Sequence, residues 1–483
     1  MSFKLFFLST FKGLRNTSKV ETSRDNLWAD YQLFIQLEQS GELPQFLALE
    51  KRVDSSEFKK EKAEIRSLRF KGSPEEKSLL EFRKLEKNRK LRDFYQVQSS
   101  SDLKRFQELQ ESEEIRRFQL LARYVQDRLY QADKAAFKQQ KRKDDRFEDT
   151  EAHKKYMEYQ QLKSSESVLF WQKFQKSTAY RNYQKMANSS ERKRFEELQA
   201  EVESEEFKAR KTYLEDAQKW EKSELFKEEQ AYLDLKQQPR FVNYLKYRGT
   251  NAFDFFNNWE VVFEDHFDQS SLDTSKWQTI SPMGQKTLGR NFSKAGDLQA
   301  YTDGANVQVR NSHLQLAVKK EKTDSFTWNF PIGFTPASFN YSSGLLTTGE
   351  LFQTRFGILE AKVKYQPKNQ LVDLFYLSDF QNHHRLNLVE SGAVCRLGYA
   401  SSNGATQHES LSGLQAGQFY IFRMEWEPGK VCWKINNQEI FTLAQSVPDV
   451  PMSLNISSLV VEPVEDLPHY FEIDWVRLYQ KKS

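Results

Sequence analysis

From Phe34 to Tyr130 an aromatic residue returns every twelve positions, at Phe34, Phe46, Phe58, Phe70, Phe82, Phe94, Phe106, Phe118 and Tyr130. The period resumes in a second phase at Phe147, Tyr159, Trp171, Tyr183, Phe195 and Phe207, and in a third at Trp220, Tyr232 and Tyr244. Few helical folds accommodate it. Twelve residues of continuous α-helix turn through about 1200°, so successive aromatics stand about 120° apart and no single face can bury them all. A left-handed coiled coil needs a period of about 3.5 residues and a right-handed one about 11, and twelve fits neither. The helix must be interrupted once per repeat.

Serine supplies the interruption. It falls six residues after the aromatic at Ser40, Ser100, Ser112, Ser165, Ser177 and Ser189, where its hydroxyl can accept from the free N–H groups of a new helix. Acids that follow, such as Glu42, Asp102, Glu114 and Glu191, suit the positive end of the helix dipole. An aliphatic residue three after the aromatic, as at Leu85, Val97, Leu109, Leu121 and Leu198, completes one apolar stripe per short helix. A single stripe is buried only by stacking units. This predicts an α-solenoid of short helices with a 12-residue repeat, paired as hairpins of roughly 24 residues. The breaks in phase, the first running through Lys141 to Arg146, read as inserted turns. With His153 as its only histidine and no cysteine, this half carries no catalytic constellation. It reads as a scaffold that holds a protein partner or associates with itself.

Near residue 250 the composition changes: Gly, Thr, Val and Asn rise, and alternating strand patterns appear. Strands are expected around Val307–Val309, His313–Val318, Gly357–Lys364, Tyr420–Trp426, Val431–Asn436 and Glu472–Tyr479. The expected fold class is multidomain α + β, the solenoid being followed by a β-sandwich jelly roll. The corresponding boundaries are an N-terminal segment 1–29, helical repeats 30–248, a linker 249–258 and a sandwich 259–483. Lys and Arg number 72 against 68 Asp and Glu, a balance of +4 that gives no long-range field for nucleic acid or anionic lipid, and neither is expected as a partner. Two cysteines, Cys395 and Cys432, exclude a disulfide scaffold and leave a single bridge open. No run of 18 apolar residues suggests a transmembrane helix. The short apolar stretch Leu5–Phe11 is a poor signal peptide, so a cytoplasmic location is expected, with secretion or the cell surface as the alternative.

The second half carries a series of motifs. In order they are Phe263-Glu264-Asp265-His266-Phe267-Asp268, Leu272 to Trp277, Leu298-Gln299-Ala300-Tyr301-Thr302, Ser343 to Thr348, Arg355 to Lys364, Met424-Glu425-Trp426 and Ile473 to Tyr479. This series resembles glycoside hydrolase family 16, the laminarinase-like group, over the whole half. The resemblance implies a concanavalin A-like jelly roll whose concave sheet forms a cleft for β-glucans or galactans. It also implies a structural calcium on the convex side, at Glu264 and Asp474, and no other cofactor.

The family's signature strand has the form Glu-x-Asp-x-x-Glu: nucleophile, tuning acid, and acid/base of a retaining double displacement. The matching stretch here is Arg385-Leu386-Asn387-Leu388-Val389-Glu390, in which only the final Glu is kept. A retaining mechanism needs two carboxyl groups about 5–5.5 Å apart. Arg385 cannot attack an anomeric carbon, and Asn387 cannot supply a tuning charge. The expected function is thus that of a pseudoenzyme, binding a glycan or a protein through the jelly roll. Phe375, Tyr376 and His384 are candidate ligand contacts, although strand aromatics also serve as core. The adjacent pair His383-His384 points to opposite faces of a strand and does not make a metal site. Two alternatives stand beside this reading. One is an active endo-hydrolase with rearranged acids, drawing on Asp373 or Asp379. The other is a structural assembly protein.

Overall fold

The computed structural model describes residues 14–140 and 144–482. The apolar stretch Leu5–Phe11 and the residues Lys141–Lys143 lie outside them. The chain divides into two compact units, Pro44–Lys236 and a second made of Met1–Leu43 with Gln237–Ser483. Among the described residues no helix is long and apolar enough to cross a membrane.

In the unit Pro44–Lys236 the expected short helices form, among them Arg89–Gln98, Ser101–Gln110, Glu113–Gln126, Glu166–Gln175, Thr178–Ala187 and Ser190–Glu203. Ser100, Ser112, Ser165, Ser177 and Ser189 are N-caps, each accepting from the N–H three residues on. The same hydroxyl closes the preceding helix: Ser100 donates to Val97 O, Ser112 to Leu109 O and Ser189 to Met186 O, at 2.7–2.8 Å. One side chain thus satisfies an orphan carbonyl and an orphan N–H.

The pairing differs from the expected 24-residue hairpins of sequence neighbours. Phe118 packs on Tyr159, Phe106 on Trp171, Phe94 on Tyr183, Phe82 on Phe195, Phe58 on Trp220 and Phe46 on Tyr232, with ring centroids 4.9–6.3 Å apart. Each step of twelve forward in the first run is met by a step of twelve or thirteen backward in the second. Two series of short helices therefore run antiparallel, reversing through the segment around Leu129–Gln140 and Glu151–Lys163. The physical reason lies in the linkers. A serine cap lets the chain go on forward, whereas a local hairpin needs a reversing loop, so each stripe is covered by the returning run. Exposed pairs such as Arg117–Glu158 and Arg194–Glu81, both 2.7 Å, match the same register and add at most about 1 kcal/mol each.

The second unit is a two-sheet sandwich. Its strands are β1 (Trp259–Asp265), β2 (Ser293–Lys294), β3 (Gln299–Tyr301), β4 (Val307–Arg310), β5 (His313–Asn329) and β6 (Gly333–Ser343). Next come β7 (Leu345–Thr347), β8 (Gly357–Lys364), β9 (Leu371–Ser378), β10 (His384–Ser391), β11 (Cys395–Ser401) and β12 (Thr406–Leu411). The last are β13 (Phe419–Glu427), β14 (Lys430–Ile435), β15 (Gln438–Leu443), β16 (Ser453–Val460) and β17 (His469–Lys481). One sheet has the order β15-β14-β13-β8-β17-β5-β6-β3 with β1, β2 and β4 attached, and the other β12-β11-β10-β9-β16-β7. Between them lies one apolar core that includes Phe375, Leu388, Val389, Met424, Trp433, Ile456 and Val476.

The outer face of the larger sheet is charged rather than apolar, and a helix covers it. Helix α1 (Thr17–Glu38) brings Arg24 to Glu360, which is 3% exposed and also receives Arg423 at 2.7 Å. Glu21 accepts from Lys362 Nζ and from Trp475 Nε1, both at 3.0 Å. Phe34 of α1 stacks on Tyr244 of the helix Pro239–Tyr247. The compact units thus depart from the sequence-based boundaries, since 30–43 and 237–248 group with the sandwich instead of the repeats. A helix held by ion pairs carries no stronger apolar stripe than its neighbours, so its sequence gives no sign of the partner.

Candidate functional site

The six-stranded sheet carries the signature stretch on β10. Simple alternation would place Arg385 and Asn387 on one face and Glu390 on the other. A bulge corrects this: the pairing of β10 slips between Asn387 and Val389 against β9, and between Asn387 and Glu390 against β11. Leu388 and Val389 are both buried in the core, and Arg385, Asn387 and Glu390 then share the face away from it. Trp433 Nε1 donates to Asn387 O at 2.8 Å across the core and anchors the strand beside the bulge.

On that face Glu390 is enclosed by donors. Asn387 Nδ2 donates to Oε2 at 2.9 Å, Arg396 Nη1 donates to Oε1 at 3.2 Å, and Arg385 Nη2 lies 3.7 Å from Oε2. The Arg385 guanidinium also sits 5.5 Å over the Tyr376 ring. Tyr376 shares the face, and strand register aligns Asn387, Tyr376, Asn455 and Thr347 in one row across β10, β9, β16 and β7. Thr347 Oγ1 donates to Asn455 Oδ1 at 2.8 Å. Burial pushes the Tyr376 hydroxyl up, with Arg385 opposing, and also pushes Tyr301 up, aided by the nearby Asp297 charge. The Asp297 carboxyl is itself raised by burial. Two guanidinium groups and one amide thus surround the Glu390 carboxylate.

Other sequence candidates fall elsewhere. Phe375 is fully buried and points into the core, because β9 alternates Phe375 inward with Tyr376 outward. His384 lies on the core side of β10, its Nδ1 2.9 Å from the hydroxyl of Tyr399. Its neighbour His383 is exposed and reaches towards Asp379 at 3.7 Å. Asp373 also turns inward, between Ser458 and His469. It cannot replace a cleft acid. Arg396, Tyr301 and Asn455 were not foreseen: each comes from a different strand, and no local spacing ties them to β10.

The pair Glu264 and Asp474 does not fit a calcium ion. Glu264 Oε2 lies 3.6 Å from Arg477 Nε and 3.4 Å from His266 Nε2, while Asp474 takes Lys362 Nζ at 2.7 Å. Calcium needs six to eight oxygen ligands, several of them anionic, and here each carboxylate faces a cation. Among the described residues no group of three or more His, Cys, Asp or Glu converges to hold a metal ion.

Cys395 and Cys432 are free and buried, and burial pushes both thiols up. Only a thiolate reacts. Neither cysteine is therefore expected to consume Ellman's reagent in the native protein, and two equivalents should appear on unfolding in denaturant. Rapid native labelling of either would contradict this packing.

No family model matches the chain. Against curated proteins it is 23% identical over 278 residues to the glucan endo-1,3-beta-glucosidase A1 of Niallia circulans, a match over 48% of this chain. The chain spans 40% of the length of that relative. Among solved structures, the catalytic domain of an endo-1,3-beta-glucanase (laminarinase) from Thermotoga petrophila RKU-1 is 20% identical, with 47% of this chain and 99% of that one covered and a TM-score of 0.38. The endo-beta-1,3-glucanase of Pyrococcus furiosus is 19% identical, with 47% and 95% covered and a TM-score of 0.38. These matches fall on the C-terminal half.

Proposed function

We propose that the sandwich binds a polysaccharide of the β-1,3-glucan class along its six-stranded sheet and leaves it uncleaved, with the helical unit as its scaffold. The observation that carries this reading is Arg385. By the resemblance to family 16 it stands where the signature strand keeps its attacking carboxylate, and its guanidinium lies 3.7 Å from Glu390 Oε2. Covalent displacement needs a carboxylate there. Protonation of a leaving oxygen needs an acid with a free O–H, yet both Glu390 oxygens act as acceptors. Binding, by contrast, needs no attacking carboxylate, and the half-buried Asn455 and Tyr376, adjacent in strand register, are the polar and aromatic contacts it would use. The substrate class rests on the likeness to the Niallia circulans glucosidase, whose name specifies a 1,3-beta-glucan.

The test joins two measurements on the full chain. Reducing ends released from laminarin, mixed-linkage glucan and agar-type galactans are expected to match those of a Glu390→Gln control. Calorimetric titration with laminarin is expected to show binding that Asn455→Ala or Tyr376→Ala weakens about tenfold, or about 1.4 kcal/mol. Turnover abolished in Glu390→Gln would overturn the non-catalytic reading. Absence of binding to every polymer would overturn the glycan.

A further inference from the structure

We infer that the arm formed by β5 and β6 is an insertion element that seats the sandwich on an anionic lipid surface. The two strands pair as far as Asn329 and Gly333, which leaves Phe330-Pro331-Ile332 as the connecting loop. Phe330 is 88% exposed, Ile332 76% and Trp328 44%. Beneath them the rings of Trp328 and Phe292 pack edge-on against Phe334 at 4.8 and 4.9 Å, so the apex rests on a rigid aromatic base. Three large apolar side chains on one exposed turn form a contiguous patch of the kind that marks an interaction site.

The chemistry of the apex favours a bilayer. It is a protruding tip without a groove, so it inserts into a partner and does not receive one. A sugar platform needs hydroxyl-binding groups beside its rings, but Asn329 Nδ2 is committed to Thr335 Oγ1 at 2.7 Å, and Pro331 and Ile332 offer no polar side chain. Exposed Lys294 is the register partner of Trp328, with Asp297 accepting from the Lys294 backbone N–H, and the Arg290 guanidinium lies over Phe326 with Asp303 at 3.9 Å. The acids of the arm stand further from the apex, Asp324 receiving Ser338 and Glu321 receiving Ser342. Aromatic and aliphatic residues at a tip with exposed Lys294 behind them suit the headgroup boundary of an anionic membrane. This inference is independent of what the six-stranded sheet binds.

Co-sedimentation of the full chain with vesicles tests it. Binding to phosphatidylcholine–phosphatidylglycerol vesicles is expected to exceed binding to pure phosphatidylcholine, and the double variant Phe330→Ser/Ile332→Ser should lose it by about tenfold or more. Lys294→Glu should lower the preference for the anionic vesicles. Brominated lipid should quench tryptophan emission in the wild type and much less in Trp328→Phe. All four positions are exposed, so unchanged hydrogen exchange across β5 and β6 separates loss of binding from loss of fold. Failure to bind either vesicle, or equal binding by the double variant, would overturn the inference. So would a double variant that keeps vesicle binding and loses retention on insoluble β-1,3-glucan, since the tip would then be a sugar platform.

Discussion

Asp373→Ala is expected to destabilise the sandwich by about 2–5 kcal/mol, the cost of leaving two buried hydrogen-bond partners unpaired and opening a cavity. Asp373 is 1% exposed, its Oδ1 accepts from Ser458 Oγ at 2.6 Å, and its Oδ2 lies 2.8 Å from His469 Nε2. Ser458 and His469 are themselves 0% and 6% exposed, so truncation strands two polar groups where water cannot reach them and leaves a cavity as well. Asp373→Asn keeps the shape and the acceptor for Ser458 and should cost less. Because the chain has two compact units, one melting temperature is not a clean readout. Hydrogen exchange followed by mass spectrometry reads β9, β16 and β17 by their own peptides. An Asp373→Ala protein with unchanged protection there would contradict the assignment of this pair as an internal strut. The strut tethers β9, whose outward residues build the candidate site, to the opposite sheet.

Glu360→Ala is expected to cost about 3 kcal/mol and to release α1 from the sheet. Glu360 is the acceptor shared by Arg24 at 2.9 Å and Arg423 at 2.7 Å. The loss sits at the lower end of the range for breaking a buried ion pair because Arg423 retains Glu425, also at 2.7 Å. Protection should fall most across Thr17–Glu38. Glu360→Gln retains the acceptor oxygen and should keep much of that protection. Full protection of α1 in Glu360→Ala would mean that Glu21, with Lys362 and Trp475, holds the helix unaided.

Much of this architecture is legible in local chemistry. The capping serines announce themselves because a cap is a short-range event: Ser112 meets Leu109 O and Ile115 N within one turn on either side. The strands around Gly357–Lys364 and Tyr420–Trp426 are legible because alternation is a period of two. The signature stretch is legible too, and the adjacent apolar pair Leu388 and Val389 even hints at the bulge. What stays hidden is pairing between distant segments. The stacking of Phe94 on Tyr183 could have been read from two runs of equal period in mirrored phase, but the period alone permits neighbouring units to pair as well.

The candidate site shows the same division. Residue identity places Arg385 and Asn387 where the resemblance implies acids, since these are properties of single positions. Which face each side chain occupies depended on tertiary structure. Alternation across β9 and β10 sends Phe375, Asp373 and His384 inward, and only the bulge returns Glu390 to the face of Arg385. Arg396 and Asn455 reach that face through strand register, which is set by the shared core. By itself, then, the sequence determined the helix interruptions, the strand periods and the residue types of the stretch Arg385–Glu390, all set within a few residues of chain. The tertiary structure decided which helical runs pair, which helix covers the charged sheet and which side chains converge on Glu390, because burial and hydrogen-bond satisfaction are settled between segments far apart in the chain.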